Sequence, residues 1–299
     1  MDDKTALVLE GGGLRGTYTA GVLDYFMEHE LAFPYVIGTS AGACNATGYL
    51  SGQIGRTKKI NTELLHTSKY KGLGQLMKNG TFLNLDYLFD EIPNEILPFD
   101  YDAYEQNPAR FVSTCTNCYT GLCEYYEKAD MGRDMTAVRA SSSLPLVAPM
   151  VVMGDGAYLD GGLSDSIPYG HALADGNDRC VVILTRPDGY RKKPSISYLF
   201  IKSLYKDFPL LLKSIKDRPE TYNRQLEELA ALEQAGTAFV IRPSKAIKIG
   251  RLSAKKEELL ALYDLGYQDA ASHYAALQDF LQKETPENKR ADTVPEAEQ

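Results

Sequence analysis

Tyr35-Val36-Ile37-Gly38-Thr39-Ser40-Ala41-Gly42-Ala43-Cys44-Asn45-Ala46-Thr47 is the stretch on which the fold turns. A short apolar run leads into glycine, serine and glycine, and small residues follow, so it reads as strand, sharp turn and helix start. Gly38 and Gly42, two positions either side of Ser40, allow a strained reversal that lifts the serine Oγ over the helix N-terminus. That is the geometry of a nucleophile elbow. The same pentapeptide also fits an ordinary glycine-rich turn, so its meaning depends on partners elsewhere in the chain.

Upstream, Thr5-Ala6-Leu7-Val8-Leu9 has the pattern of a buried strand and runs through Glu10 into Gly11-Gly12-Gly13-Leu14-Arg15-Gly16. A helix is predicted to about Glu28, with Ala20, Val22, Leu23 and Phe26 inward. Exposed loop amides and the helix dipole behind them favour negative charge. A dinucleotide site would want an acid at the end of the second strand, where Gly38-Thr39-Ser40 stands, and a P-loop would need Gly-Lys-Ser/Thr, which is missing. The remaining use is an oxyanion hole. In a parallel α/β sheet the first two strands can be neighbours, which would bring both loops to the carboxyl ends where ligands bind.

Downstream, residues 44–66 read as helix broken near Ser51-Gly52, and 69–98 as loops and short helices. The latter either cover the mouth of a site or merely connect elements on the surface. Residues 109–116 and 122–127 form a predicted hairpin through Tyr119-Thr120-Gly121. It carries Cys115, Cys118 and Cys123, but no histidine lies between His66 and His171 to complete a tetrahedral site. These are read as buried thiols, with no metal and no cofactor expected. A helix over 134–142 stops at Leu144-Pro145, and a strand over 149–153 turns at Gly154-Asp155-Gly156. Tyr158-Leu159 then runs into Asp160-Gly161-Gly162, a tight loop suited to presenting one carboxylate. After a helix from Pro168 and a buried strand over 180–184, the α/β alternation is expected to end, followed by a helix over 221–235, one more strand over 238–242 and one or two helices over 253–281.

Serine needs a base to take its proton. The chain has four histidines, His29, His66, His171 and His273, and the order Ser40, Asp160, then His171 or His273 formally allows a triad. Against it, only one clear strand precedes the elbow, His273 sits in an alanine-rich helical segment, and His171 follows a helix start. The alternative is a dyad in which Asp160 accepts the Ser40 proton directly.

The 299 residues are 44% hydrophobic and 24% charged, with net charge −8 and a pI near 5.2, which argues against nucleic acid as the partner. Five cysteines is an odd number, and Met1-Asp2-Asp3-Lys4 lacks the features of a secretory leader, so a reducing cytoplasmic setting is expected. No apolar run approaches the roughly 20 residues that span a bilayer, leaving peripheral membrane contact as the lipid-facing option.

Gly11-Gly12-Gly13-Leu14-Arg15-Gly16, Gly38-Thr39-Ser40-Ala41-Gly42-Ala43 and Asp160-Gly161-Gly162, in that order and spacing, closely resemble the patatin-like phospholipases. Arg139-Ala140-Ser141-Ser142-Ser143-Leu144-Pro145 also looks like that family's approach to its aspartate. The resemblance covers roughly residues 5–186 and implies a three-layer α/β/α sandwich and a metal-independent lipid acyl hydrolase, acting like a phospholipase A or lysophospholipase. It implies Ser40 as nucleophile, Asp160 as base, and amides around Gly12, Gly13 and Leu14 as oxyanion hole, with Arg15 nearby. A general carboxylesterase or thioesterase with the same dyad is the nearest alternative, and a silent lipid-binding protein a more distant one. Pro34, where an acid is usual, and Cys44, where a larger aliphatic is common, depart from the pattern.

Residues 1–186 are thus read as the catalytic domain, 187–284 as a mostly helical extension packed on the core, similar to a bacterial subset, and 285–299 as a flexible tail. Over 186–218, nine Lys and Arg face three Asp among aromatic and aliphatic residues. This pattern suits either an anionic lipid surface or a helix pair that buries its apolar face and solvates its lysines.

Overall fold

The computed structural model describes residues 4–194, 197–246, 248–252 and 254–283. The residues read as a flexible tail, 285–299, lie outside that set, as does Ser253 at the predicted start of the last helix.

The predicted first strand forms as β1 (Thr5–Leu9), and all five residues are buried. α1 (Thr17–Glu28) follows the glycine loop, with Ala20, Val22, Leu23 and Phe26 turned inward as expected. β2 (Tyr35–Thr39) lies parallel beside β1, and α2 (Ala41–Leu50) begins directly after Ser40. The next segment supplies α3 (Arg56–Thr62), α4 (Leu73–Asn79), a π-helical stretch over Tyr87–Ile96 and α5 (Tyr101–Gln106). β3 (Arg110–Asn117) and β4 (Cys123–Glu127) make the predicted hairpin, followed by α6 (Lys128–Met131) and α7 (Thr136–Ser141). A second hairpin joins β5 (Val151–Met153) to β6 (Gly156–Asp160). α8 (Tyr169–Ala174) and β7 (Arg179–Ile183) come next.

The alternation does not end at β7. α9 (Tyr198–Leu204) and α10 (Pro209–Gln234) lead to β8 (Ala238–Ile241), which pairs parallel with β7, and α11 (Lys256–Gln282) closes the described chain. The strand expected over 238–242 forms as β8; the expected end of the alternation is corrected because this strand extends the main sheet beside β7. The resulting order is β5-β6-β3-β2-β1-β7-β8, with β4 on β3.

Side chains alternate across a strand, so the central strands feed two cores. Leu7, Leu9 and Val36 pack with α1, α2 and α11 on one face. Ala6, Val8 and Ile37 pack with Tyr169 and Ala172 of α8 and Tyr222 and Leu229 of α10 on the other. The sheet is therefore the middle of three layers, an α/β/α sandwich, and the C-terminal segment contributes to all three. α1 and α11 cross at glycines: a Cβ on Gly21 would stand 2.1 Å from the Tyr263 carbonyl oxygen, and one on Gly266 2.1 Å from that of Tyr18.

Candidate active site

β3 is the template that brings the two ends of the site together. Thr39, the last residue of β2, pairs with Thr114, and Asp160, the last of β6, pairs with the next residue, Cys115. Ser40 and Asp160 thus leave the sheet side by side although 120 residues separate them. Ser40 Oγ donates to Asp160 Oδ2 at 2.7 Å. Thr39 and Thr114 hydroxyls share a bond of 2.8 Å, and Thr116 Oγ1 donates to the Asp160 carbonyl at 2.8 Å, which pins both strand ends.

The elbow is strained in the way its glycines foretell. Ser40 has φ 55° and ψ −121°, a conformation that side chains rarely adopt. A Cβ on Gly38 would come within 2.6 Å of Ala43 N, and one on Gly42 within 2.3 Å of the Leu9 carbonyl oxygen. The Ser40 amide donates to Ser141 Oγ at 2.7 Å, giving the serine-rich approach at 139–145 a positioning role. Asp160 is oriented through its other oxygen, Oδ1, which accepts from the Gly162 amide at 2.8 Å. A Cβ on Gly161 would fall 2.1 Å from Thr114 Oγ1, so the aspartate loop also needs its glycines.

The glycine loop lies against this pair, where a Cβ on Gly11 would stand 3.3 Å from Ser40 Cβ and one on Gly16 2.8 Å from Ala41 Cβ. Its amides are not equivalent. Gly11 N donates to Ser166 O, Leu14 N to Arg251 O at 3.0 Å, and Arg15 N to Gly12 O. Gly12 and Gly13 alone of those five keep unbonded amides among the described residues. Of the amides expected in the oxyanion hole, those of Gly11, Leu14 and Arg15 are thus engaged elsewhere, Leu14 N–H by a C-terminal carbonyl that no local pattern announces.

The histidines lie elsewhere. His171 stacks on Tyr125 with ring centroids 3.5 Å apart and approaches Asp175 at 3.9 Å, while His273 Nδ1 bonds the Asp269 carbonyl. Among the described residues none bonds Ser40 or Asp160. Burial pushes the Cys44 thiol up to about 11, so it offers little thiolate beside Ser40 at neutral pH. No group of three or more His, Cys, Asp or Glu among the described residues is placed to hold a metal ion.

Two cavities meet at Ser40, sharing Gly13, Leu144, Arg251 and Leu252. One, of about 140 Å³, is largely apolar, and Tyr70, Leu83, Leu88, Phe89 and Pro93 from the 69–98 region line it. The other, of about 480 Å³, contains Asp160 and is lined by Arg15, Arg186, Lys192, Lys193, Arg218 and Arg251, against which stand two acids, Asp160 and Glu10. Glu10 is itself held by the Thr185 amide and hydroxyl and by the Tyr222 hydroxyl.

That second cavity changes the reading of the 186–218 cations. Arg186, Lys192 and Arg218 do not all face outward; they turn toward the serine, joined by Arg251, which the sequence reading missed. Arg218 had a local signal. Leu211, Ile215, Arg218 and Tyr222 recur on one face of α10, a cation inside an apolar stripe. Among the described residues no helix is long and apolar enough to cross a membrane.

Residues 7–173 match the family model described as patatin-like phospholipase, and residues 208–282 match a domain of unknown function, DUF6363. The uncharacterized protein YjjU of Escherichia coli strain K12 is 32% identical over 192 residues, which is 62% of this chain and 52% of that protein. The chain thus spans about half the length of that curated relative. The crystal structure of VipD from Legionella pneumophila covers 90% of this chain and 66% of its own at 14% identity, with a TM-score of 0.47. With more than half of its length inside the first family model, glycine loop, elbow and aspartate loop included, this chain belongs to the patatin-like phospholipase family.

Proposed function

We propose that the chain is a lipid acyl hydrolase working through a Ser40–Asp160 dyad. The observation that carries this reading is the 2.7 Å bond from Ser40 Oγ to Asp160 Oδ2, at the meeting point of an apolar cavity and two unbonded loop amides. Asp160 takes the Ser40 proton as Oγ attacks the ester carbonyl carbon, and the Gly12 and Gly13 amides receive the charge on the carbonyl oxygen. The tetrahedral species collapses, the leaving alcohol takes the proton from Asp160, and the acyl group stays on Ser40. Water, deprotonated by Asp160, then attacks the acyl carbonyl and frees the fatty acid and the serine.

The apolar cavity is suited to the acyl chain, which favours lipid esters over small polar ones. The protein surface is consistent with that substrate. Leu199, Phe200 and Leu204 of α9 and Leu210 of α10 are exposed, as are Lys202, Lys206 and Lys213, while Ile201 of α9 is buried and lines the larger cavity. Residues 198–213 are the part of the basic-aromatic stretch that would touch an anionic membrane, at the rim of the site.

Hydrolysis of a fluorogenic acyl ester and of phospholipid vesicles, compared for wild type, Ser40→Ala and Asp160→Asn, tests the dyad. Both variants should lose at least about 10³-fold in kcat/KM on both substrates. Asp160→Asn retaining turnover while His171→Ala loses it would overturn the dyad.

A further inference from the structure

The larger cavity carries an excess of positive charge that the acyl transfer does not use. Six cationic side chains line it against two carboxylates, in a chain of net charge −8. They come from four places: the glycine loop, the segment after β7, α10 and the loop before α11. Among the described residues Arg186, Lys192, Arg218 and Arg251 form no ion pair. Instead, Arg186 lies over the Tyr190 ring at 4.2 Å and Lys192 over the Tyr222 ring at 3.9 Å. The Nε atoms of Arg15 and Arg218 are buried without a hydrogen-bond partner. A Cβ on Gly162 would stand 3.1 Å from Arg218 Nη2 and 3.0 Å from Asp160 Oδ1, so the guanidinium and the carboxylate both approach this glycine.

Gathering like charges in a half-buried chamber is unfavourable without an anion to share. The strain is visible in their acidities: burial, then Arg186 and Arg251, pulls Arg15 down to about 10. Burial, then Arg251, does the same to Arg218, which also reaches about 10. Glu10 offsets the cluster only in part: it stands against six cations, and both its oxygens are bonded to Thr185 and Tyr222 and not to any of them. A planar carboxylate is satisfied by one bidentate arginine, whereas a tetrahedral phosphoryl group accepts donors from several sides.

We propose that the chamber walled by Arg15, Arg186, Lys192, Arg218 and Arg251 is a phosphoryl-binding subsite. It seats the anionic head of an ester whose acyl chain occupies the apolar cavity and whose carbonyl lies at Ser40. The proposal rests on the esterase reading for its substrate, and it names that substrate as a lipid with an accessible, uncapped phosphate. Phosphatidate is then preferred to phosphatidylcholine, whose trimethylammonium group would enter a cationic chamber.

The test combines binding and turnover. Inorganic phosphate is titrated by calorimetry into wild type, Ser40→Ala, Arg218→Gln and Lys192→Met, with circular dichroism to confirm that each variant is folded; Arg186→Gln, at a half-exposed position, replaces any that is not. Phosphate should bind wild type and Ser40→Ala and lose at least tenfold in affinity in the cation variants. Because Ser40→Ala reports binding without chemistry, failure of the esterase reading and failure of the subsite give different results. Rates are then compared on vesicles of phosphatidate and of phosphatidylcholine with matched chains. The phosphatidate preference should exceed tenfold in wild type and collapse in Arg218→Gln, and free phosphate should compete. Phosphate that binds without competing against phosphatidate overturns the head-group assignment in favour of a free-phosphate site. Absence of phosphate binding together with equal rates on the two lipids overturns the subsite itself.

Discussion

At the residue scale, Ser40 joins a strained backbone to a hydroxyl bonded to a carboxylate. Its φ of 55° and ψ of −121° lift Oγ out of the sheet toward Asp160, a conformation costing on the order of 1–3 kcal/mol for a residue with a Cβ. The flanking glycines cannot share the cost, because backbone already fills the space where their Cβ atoms would stand. Ser40→Ala and Ser40→Gly both delete the hydroxyl, but only glycine relieves the torsion. Glycine also gives back part of the gain through unfolded-state entropy. Thermal unfolding should therefore place Ser40→Gly above Ser40→Ala by about 1 kcal/mol, a few degrees in Tm. Equal midpoints would mean that the elbow stores no strain at this residue.

At the scale of elements, β3 and α9 do different kinds of work. β3 places Thr39 and Asp160 on consecutive partners, so the Ser40–Asp160 contact is a property of strand register, whereas α9 has one side in the core and one in solvent. Leu199 and Phe200 are 78% and 61% exposed, so their burial in a lipid surface would be almost entirely new. At roughly 1.5–3 kcal/mol for each such side chain, Leu199→Ser with Phe200→Ser should weaken binding to anionic vesicles by at least tenfold. The loss should appear in vesicle sedimentation and not in hydrolysis of a water-soluble ester. Adding salt should weaken the wild type further, because Lys202 and Lys206 each contribute about 1 kcal/mol near an anionic surface. Unchanged sedimentation of the double variant would assign α9 to packing alone. Legibility in the sequence differed from element to element. The strand ends at Ser40 and Asp160 could be read because apolar runs, glycine chemistry and loop position all point one way within a few residues. Arg251 could not, since its place above Gly13 depends on how α11 docks, and the inward turn of Lys192 depends on the ring of Tyr222, thirty residues on. The π-helical stretch at Tyr87–Ile96, which carries Pro93 inside it, likewise answers to the cavity it lines more than to a local period.

At the scale of the whole molecule, the C-terminal segment completes the site that the N-terminal motifs begin. Arg251 holds the glycine loop through Leu14, Arg218 flanks Asp160, and α11 lies along α1, the helix that follows the loop. Three tyrosine–carboxylate contacts tie α11 to α1: Tyr18 with Asp269, Tyr263 with Asp24, and Tyr267 with Glu28. The contact at Asp24 makes this docking sensitive to pH. Burial raises the Asp24 carboxyl above its usual value, outweighing the hydrogen bonds from Tyr263 and Gly55. The folded protein therefore holds this proton to higher pH than the unfolded chain does. Its contribution to stability is full below the unfolded value and is lost as pH rises through the raised folded value. Tyr263 Oη and Gly55 N both donate to the same oxygen, Oδ2, at 2.7 and 3.0 Å, and a carboxamide oxygen can accept both. Asp24→Asn should thus preserve the contact while removing the ionisation. The Tm of the variant minus that of the wild type should be small near pH 4 and grow more positive toward pH 7. A difference that shrinks or reverses over that interval would show that ionised Asp24 favours the docking of α11, and that burial is not the dominant influence on it.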